Sequence, residues 1–338
     1  MTYPQVTNDA WNALYQAAIE FKTIKPWTWL GEEQVFGVQN PANGKIGYCC
    51  ILGGGEEFYC LIVYLGSEGL KSYLKIRSEE LNPEEAIFHQ KCLMAAFNDR
   101  AYLDKHDLQV IKNLGLKFRG RNAWPQFRSH LPGFVPWYLT EVEATYLTLA
   151  LTQAIRVVWE FQKNENLFNY PKKDHFLVRV PEPEGTAVNW KNTWLKPEPL
   201  SAVEFIPPSP DEAQLEKIKT RKPARKGTWN LDFFFSPMGI KDPHRPYYPY
   251  LLLGIDQLTG LIFVTAVADH STYKEEFQNR LIRCLEKEDS IPRRILVQND
   301  DAYKLFKPIT SYLNIELTKV KFLKALALTK TALYDSSL

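Results

Sequence analysis

The segment of the N-terminal half richest in chemically capable residues is LGLKFRGRNAWPQFRSHLPGFVPWYL. It sets Arg119, Arg121 and Arg128 among Phe118, Trp124, Phe127, Phe134 and Trp137. Arginines interleaved with rings can grip a single-stranded nucleic acid, the guanidinium groups on phosphates and the rings under bases. Pro125, Pro132, Gly133 and Pro136 also predict a long ordered loop, and a loop with no hydrogen-bond ladder needs large side chains to anchor it. Residues 118–137 are therefore an anchored loop or a binding loop, with Arg119, Arg121, Trp124 and Arg128 as the candidate contacts. The run Gly53-Gly54-Gly55 is a second place to look for phosphate chemistry. A phosphate-cradling loop would continue into GK[ST] or open a helix, whereas here EEFYCLIVYL follows, which is a strand pattern entered by two acids. The expectation is a hairpin turn.

Other reactive constellations are missing. The chain has no GxSxG elbow, no HExxH and no GxxxxGK[ST], and its six histidines are scattered. The five cysteines form no CxxC pair and no zinc-spaced cluster, and Cys49, Cys50, Cys60 and Cys284 sit in apolar patterns as free thiols do. The net charge of +2 gives no general reason to expect nucleic acid or an acidic membrane as partner. The first residues lack the pattern of a signal peptide and no apolar run is long enough to span a bilayer, so the expected location is cytoplasmic.

The elements that must position these residues follow from periodicity. Trp11, Leu14, Tyr15, Ala18 and Ile19 recur at helical spacing behind Asn8 or Asp9, and Pro26 ends that helix. Strands are predicted over 34–39, 45–52 and 57–65, joined at Asn43-Gly44 and at the triple glycine into an antiparallel meander. Ser67 is expected to cap a short helix to about Ile76. A strand over 92–97 and a helix over 105–114 come next. Thr140 and Glu143 form a capping box that opens the longest helix, about 141–162, whose apolar positions cover more than one face and predict a buried helix. Three further strands, HFLVRVPE, TAVNWKNTW and LSAVEFI, complete an N-terminal α+β domain over 1–206. Prolines then cluster, and six Lys/Arg stand against three Asp/Glu over 207–228, which reads as a solvated Pro-rich basic linker.

From Trp229 onward the chain reads as strands over 229–235, 250–257 and 261–268, a helix over 272–288 and a strand over 294–298. A helix over 301–313, a strand over 315–320 and a last helix from about Phe322 follow. Tyr273, Phe277, Leu281 and Leu285 give the first of these helices one apolar stripe to lay on a sheet. Three antiparallel strands followed by helix–strand–helix–strand–helix resemble the ribonuclease H-like domain of integrase and transposase cores. WNLDFFF is similar to the first catalytic strand of those enzymes and ILVQNDD to the strand that ends in their second catalytic aspartate. The resemblance implies a mixed sheet flanked by helices, with the first and fourth strands side by side. It further implies that Asp232 and Asp300, with Asp256 as a third candidate, would hold Mg²⁺ or Mn²⁺ for phosphoryl hydrolysis. The carboxylate that such enzymes carry at the start of the final helix is absent: the segment reads VKFLKALALTK, and Asp335 lies about ten residues into the helix, roughly 15 Å along. Over most of its length the chain also resembles an uncharacterised bacterial two-domain family, on the strength of the 115–140 segment followed by a domain like 231–333.

The expectation is thus two α+β domains, an N-terminal antiparallel sheet with helices and a catalytically degenerate ribonuclease H-like domain over 229–338. The expected function is a non-enzymatic binding or scaffold protein with a protein or nucleic-acid partner and no membrane. The alternatives are a metal-dependent nuclease using Asp232 and Asp300, and a single-strand binder acting through 118–137.

Overall fold

Glycine at position 47 sets how closely the longest helix lies on the first sheet. A Cβ there would come within 2.3 Å of the Tyr146 hydroxyl, which donates to the Val38 carbonyl at 2.7 Å. The structure, a computed structural model, describes residues 3–55, 58–81, 83–169, 172–184, 187–200 and 204–335. It divides into two compact units, Met1–Ser201 with Pro243–Arg245, and Ala202–Asp242 with Pro246–Leu338.

The first unit is built on strands β1 (Phe36–Gln39), β2 (Ile46–Leu52), β3 (Tyr59–Leu65), β4 (Cys92–Asn98), β5 (Trp124–His130), β6 (Phe176–Glu184) and β7 (Ala187–Leu195). They form one sheet in the order β5-β4-β3-β2-β1-β6-β7. Every neighbouring pair is antiparallel except β1 with β6, so the sheet is mixed at that one seam. Side chains alternate between two buried layers. Cys49, Ile51, Leu61, Val63 and Leu93 join the core of α1 (Asn8–Ile24) and α5 (Glu141–Lys163). Tyr48, Cys50, Cys60, Ile62 and Cys92 face a second layer with Leu70 and Tyr73 of α2 (Gly66–Arg77). Helices α3 (Pro83–His89) and α4 (Lys105–Asn113) complete the unit.

The Thr140–Glu143 box is formed as the sequence predicts, and the neighbouring Glu141 also accepts from the Thr7 amide at 2.7 Å, fastening the start of α1 to that of α5. Ser67 does not cap α2. It lies inside the helix, and its hydroxyl donates to the Glu198 carbonyl at 2.6 Å. The connection after β1 is longer than a two-residue hairpin, with Gly44 alone of the Asn43-Gly44 pair at positive φ. The expected start of β3 at Glu57 lies outside the described residues, as does much of the LSAVEFI strand, whose residues 204–206 form no strand. Residues 118–137 are not one loop. They contain β5, the edge strand, where Pro125 loses no ladder that the sheet needs.

The second unit contains α6 (Glu212–Thr220), β8 (Ala224–Arg225), β9 (Thr228–Phe235), β10 (Tyr250–Asp256), β11 (Ile262–Ala268), α7 (Tyr273–Lys287), β12 (Ser290–Ile291), β13 (Arg294–Val297), α8 (Asp300–Tyr312), β14 (Glu316–Lys319) and α9 (Lys324–Asp335). Five strands make a mixed sheet in the order β11-β10-β9-β13-β14, and β8 pairs separately with β12. Strands β9, β10 and β11 are antiparallel, while β9, β13 and β14 run parallel. The first and fourth sheet strands, β9 and β13, are therefore neighbours. Trp229, Leu231 and Phe233 face the layer of α6, α7 and α8, and the opposite face, with Leu253, Ile255 and Leu296, meets Leu323 and Leu326 at α9. Among the described residues no helix is long and apolar enough to cross a membrane.

The basic stretch 207–228 is largely folded onto this unit. Asp211 caps α6, which buries Leu215 and Ile218 in the core. Arg221 donates to the carbonyls of Leu285, Glu286 and Glu288, and Arg225 to those of Leu313 and Asn314. These are the carbonyl ends of α7 and α8, where a cation offsets the helix dipole. Leu215→Ala is predicted to lower the unfolding free energy by about 2–5 kcal/mol in chemical denaturation. An unchanged midpoint would return this segment to the status of a solvated linker.

Candidate functional site

Strand β9 turns Asn230, Asp232 and Phe234 toward α9. Asp232 is 9 % exposed. Its Oδ1 accepts from the amide of Phe233 at 2.9 Å, and its Oδ2 accepts from the amides of Gln298 and Asn299 at 2.9 and 3.0 Å. The β9–β13 ladder pairs Asn230 with Leu296 and ends there. One step on, the carboxylate takes the place of the backbone acceptor. Burial pushes the Asp232 carboxyl up to about 6, against the pull of the three amides and the positive charge of Lys330. Asn230, overlooked in the sequence although it alternates with Asp232, has its Oδ1 buried with no hydrogen-bond partner among the described residues.

Asp300 is the first residue of α8, and Asn299 is the cap, its side chain accepting from the Asp301 amide at 2.8 Å. The Asp300 carboxylate takes the Lys319 ammonium at 2.5 Å, at the end of β14. Asp256 belongs to the other end of the sheet. It pairs with Trp229, whereas Asp232 pairs with Leu253. Three positions along β10 is roughly 10 Å. Its Oδ1 caps the following turn, accepting from Leu258, Thr259 and the Thr259 hydroxyl at 3.1, 2.9 and 3.0 Å. Near Asp232 the last helix supplies a cation, Lys330, 4.8 Å from the Phe234 ring centroid, and Asp335 is its exposed last residue. Two-cation clamping needs several carboxylates converging with open lone pairs. The donor set does not fit that requirement, and among the described residues no three His, Cys, Asp or Glu side chains group to hold a metal.

The arginines of the aromatic segment separate into two kinds. Arg128 is bidentate on Asp107 at 2.8 and 2.7 Å, reaches Asp104 at 3.0 Å, and lies 4.8 Å from the Tyr138 ring centroid. Asp104 and Asp107 are the capping box of α4, so Arg128 fastens that helix to the edge strand. Arg119 and Arg121 are exposed, and their side chains make no ion pair among the described residues. Trp124 is half-buried at the start of β5, with Phe118 at 5.8 Å and the Arg100 guanidinium at 5.8 Å. A cavity of 440 Å³ in the first unit, bordered by Lys45, Tyr48, Gly66, Val142 and Glu198, had no single motif to betray it, because its walls come from separate parts of the chain.

Residues 11–179, half of the chain, match a domain of unknown function (DUF7309). The chain belongs to this family. The DUF7309 match runs from within α1 to Arg179 in β6, covering the two core helices and the strands on which they lie. A second match, to a domain of unknown function (DUF6930), spans residues 214–333 and takes in most of α6 together with the five-stranded sheet. No curated protein matches the chain.

Asp232→Asn keeps the side-chain size but turns one accepting oxygen into an NH₂ group, so at least one backbone amide loses its acceptor. The expected loss is about 1–3 kcal/mol at neutral pH. The folded carboxyl titrates at about 6, above its ordinary 3.8, so the unfolded chain releases this proton first as pH rises. Wild-type stability relative to the variant should therefore be greatest below about pH 4, fall as pH rises, and level off above about pH 7. Urea unfolding across that range checks it, and a pH-independent difference would contradict it.

Proposed function

We propose that the protein is a non-enzymatic, cytoplasmic binding or scaffold protein whose C-terminal unit has a ribonuclease H-like plan with a degenerate site. The β9–β13 adjacency supports the plan. The state of Asp232 carries the reading: Oδ2 accepts from two backbone amides of the strand-to-helix turn, and Oδ1 accepts from the Phe233 amide of its own strand. The aspartate that would hold metal in the resembling enzymes is spent on structure here. Lys319 on Asp300 and Lys330 on the Asp232 side put positive charge where those enzymes need cations to bind.

The test is incubation of the full-length protein with Mg²⁺ or Mn²⁺ and labelled single- and double-stranded DNA and RNA, beside Asp232→Asn and Asp300→Asn. Asp300 is exposed, so its variant isolates chemistry from folding. Wild type and both variants should show the same background. Metal-dependent cleavage that Asp300→Asn abolishes would restore the nuclease reading.

A second reading, single-stranded nucleic-acid binding, is favoured by one observation: Arg119 and Arg121 are exposed in the segment that leads into Trp124, the first residue of the edge strand β5. It expects affinity for a labelled oligonucleotide to fall steeply with salt, and the slope to shrink when both arginines become alanine. A flat, salt-insensitive titration would remove it. Arg128 is outside this reading, since its guanidinium already serves Asp107.

A further inference from the structure

The 440 Å³ cavity of the N-terminal unit falls within the roughly 300–1,000 Å³ range of small-molecule sites. It forms where the β1–β2 connection, the β3–α2 junction, the starts of β4 and α5, and residues 198–200 come together. Its apolar wall includes Ile46, Leu93 and Val142, the last 68 % exposed, together with Leu200 at 43 %. Large apolar side chains are thus held against water at a concave surface.

The charges on the wall are of two kinds. Lys91 is paired with Glu68, and Glu143 accepts from Ser129 and Thr140. Lys45 and Glu198 line the same cavity, and neither ammonium nor carboxylate has an ion-pair partner among the described residues. Beside them, α2 starts at Gly66 with no side-chain cap, and the space on the Cβ side of Gly66 is empty to 4 Å. Uncapped first-turn amides receive an anionic group. Tyr48, 2 % exposed, also lines the wall; burial, with the charge of Glu198, pushes its phenol up to about 12.

We propose that this cavity binds a small zwitterion with an apolar body, of the class of free amino acids with large apolar side chains. The ligand carboxylate lies between Lys45 and the α2 amides, its ammonium meets Glu198, and its side chain covers Ile46, Val142 and Leu200. Unpartnered charges of both signs beside an apolar wall select this class over a simple acid, a simple amine or a hydrocarbon. The inference rests on the binding-protein reading and supplies it with a ligand.

The experiment is isothermal titration of the full-length protein with phenylalanine and leucine. N-acetylphenylalanine lacks the ammonium, phenylalaninamide lacks the carboxylate, and glycine lacks the apolar body. Saturable binding of phenylalanine or leucine is expected, weakened at least about tenfold by blocking either charge. Lys45→Met should cost affinity for phenylalanine but not for phenylalaninamide, and Glu198→Gln should leave N-acetylphenylalanine unaffected. Both variants should melt as wild type does without ligand. No saturable heat with phenylalanine or leucine, blocked forms that bind equally, or variants with unchanged affinity would overturn the proposal. Phenylalanine binding by a protein that also cleaves nucleic acid would keep the cavity and remove the non-enzymatic reading. Inertness toward both would do the reverse.

Discussion

The C-terminal unit depends on one carboxylate. Two parallel strands, β9 and β13, lie side by side, and the chain must leave β13 to begin α8 just where their ladder stops. Asp232 accepts from Gln298 and Asn299 at that point, so two amides leaving a buried sheet keep acceptors. Asn299 is then held by its neighbours while its own side chain caps α8. Burial opposes the charge and the amides support it, and the balance is a carboxylate that is ionised at neutral pH and already committed. A metal would have to compete with three backbone bonds and with Lys330.

Cations in this chain serve structure in the same way. Arg128 closes the α4 capping box onto an edge strand, and Arg221 and Arg225 sit on the carbonyl ends of α7 and α8. The near-neutral composition therefore conceals a division of labour: the arginines that look most like a binding surface in sequence are in part interior fastenings. Arg119 and Arg121, by contrast, are exposed and make no ion pair among the described residues.

Much of this was legible in the sequence because local chemistry and global fold agree. The Thr140–Glu143 box, the four-residue stripe of α7 and the strand-helix alternation after Trp229 each state one element and need no distant contact. Failures came where the decisive partner is remote. The prolines of 118–137 hid β5, though Phe127 and Ser129 alternate inward and only an edge position tolerates Pro125. The basic residues of 207–228 masked α6, although Asp211 followed by Leu215 and Ile218 is a capped helix with an apolar face. The fate of Asp232 could not be read locally, since two of its three amide partners, Gln298 and Asn299, stand more than sixty residues away. The cavity near Lys45 and Glu198 was invisible for the same reason.

The central claim, that Asp232 is a backbone bracket and not a metal ligand, is tested most directly by amide NMR of Phe233, Gln298 and Asn299 during titration with Mg²⁺. The account predicts that these three resonances stay in place at saturating metal while responding together to pH near the titration of the carboxyl, about 6. A saturable Mg²⁺-dependent shift of the three, lost in Asp300→Asn, would contradict it.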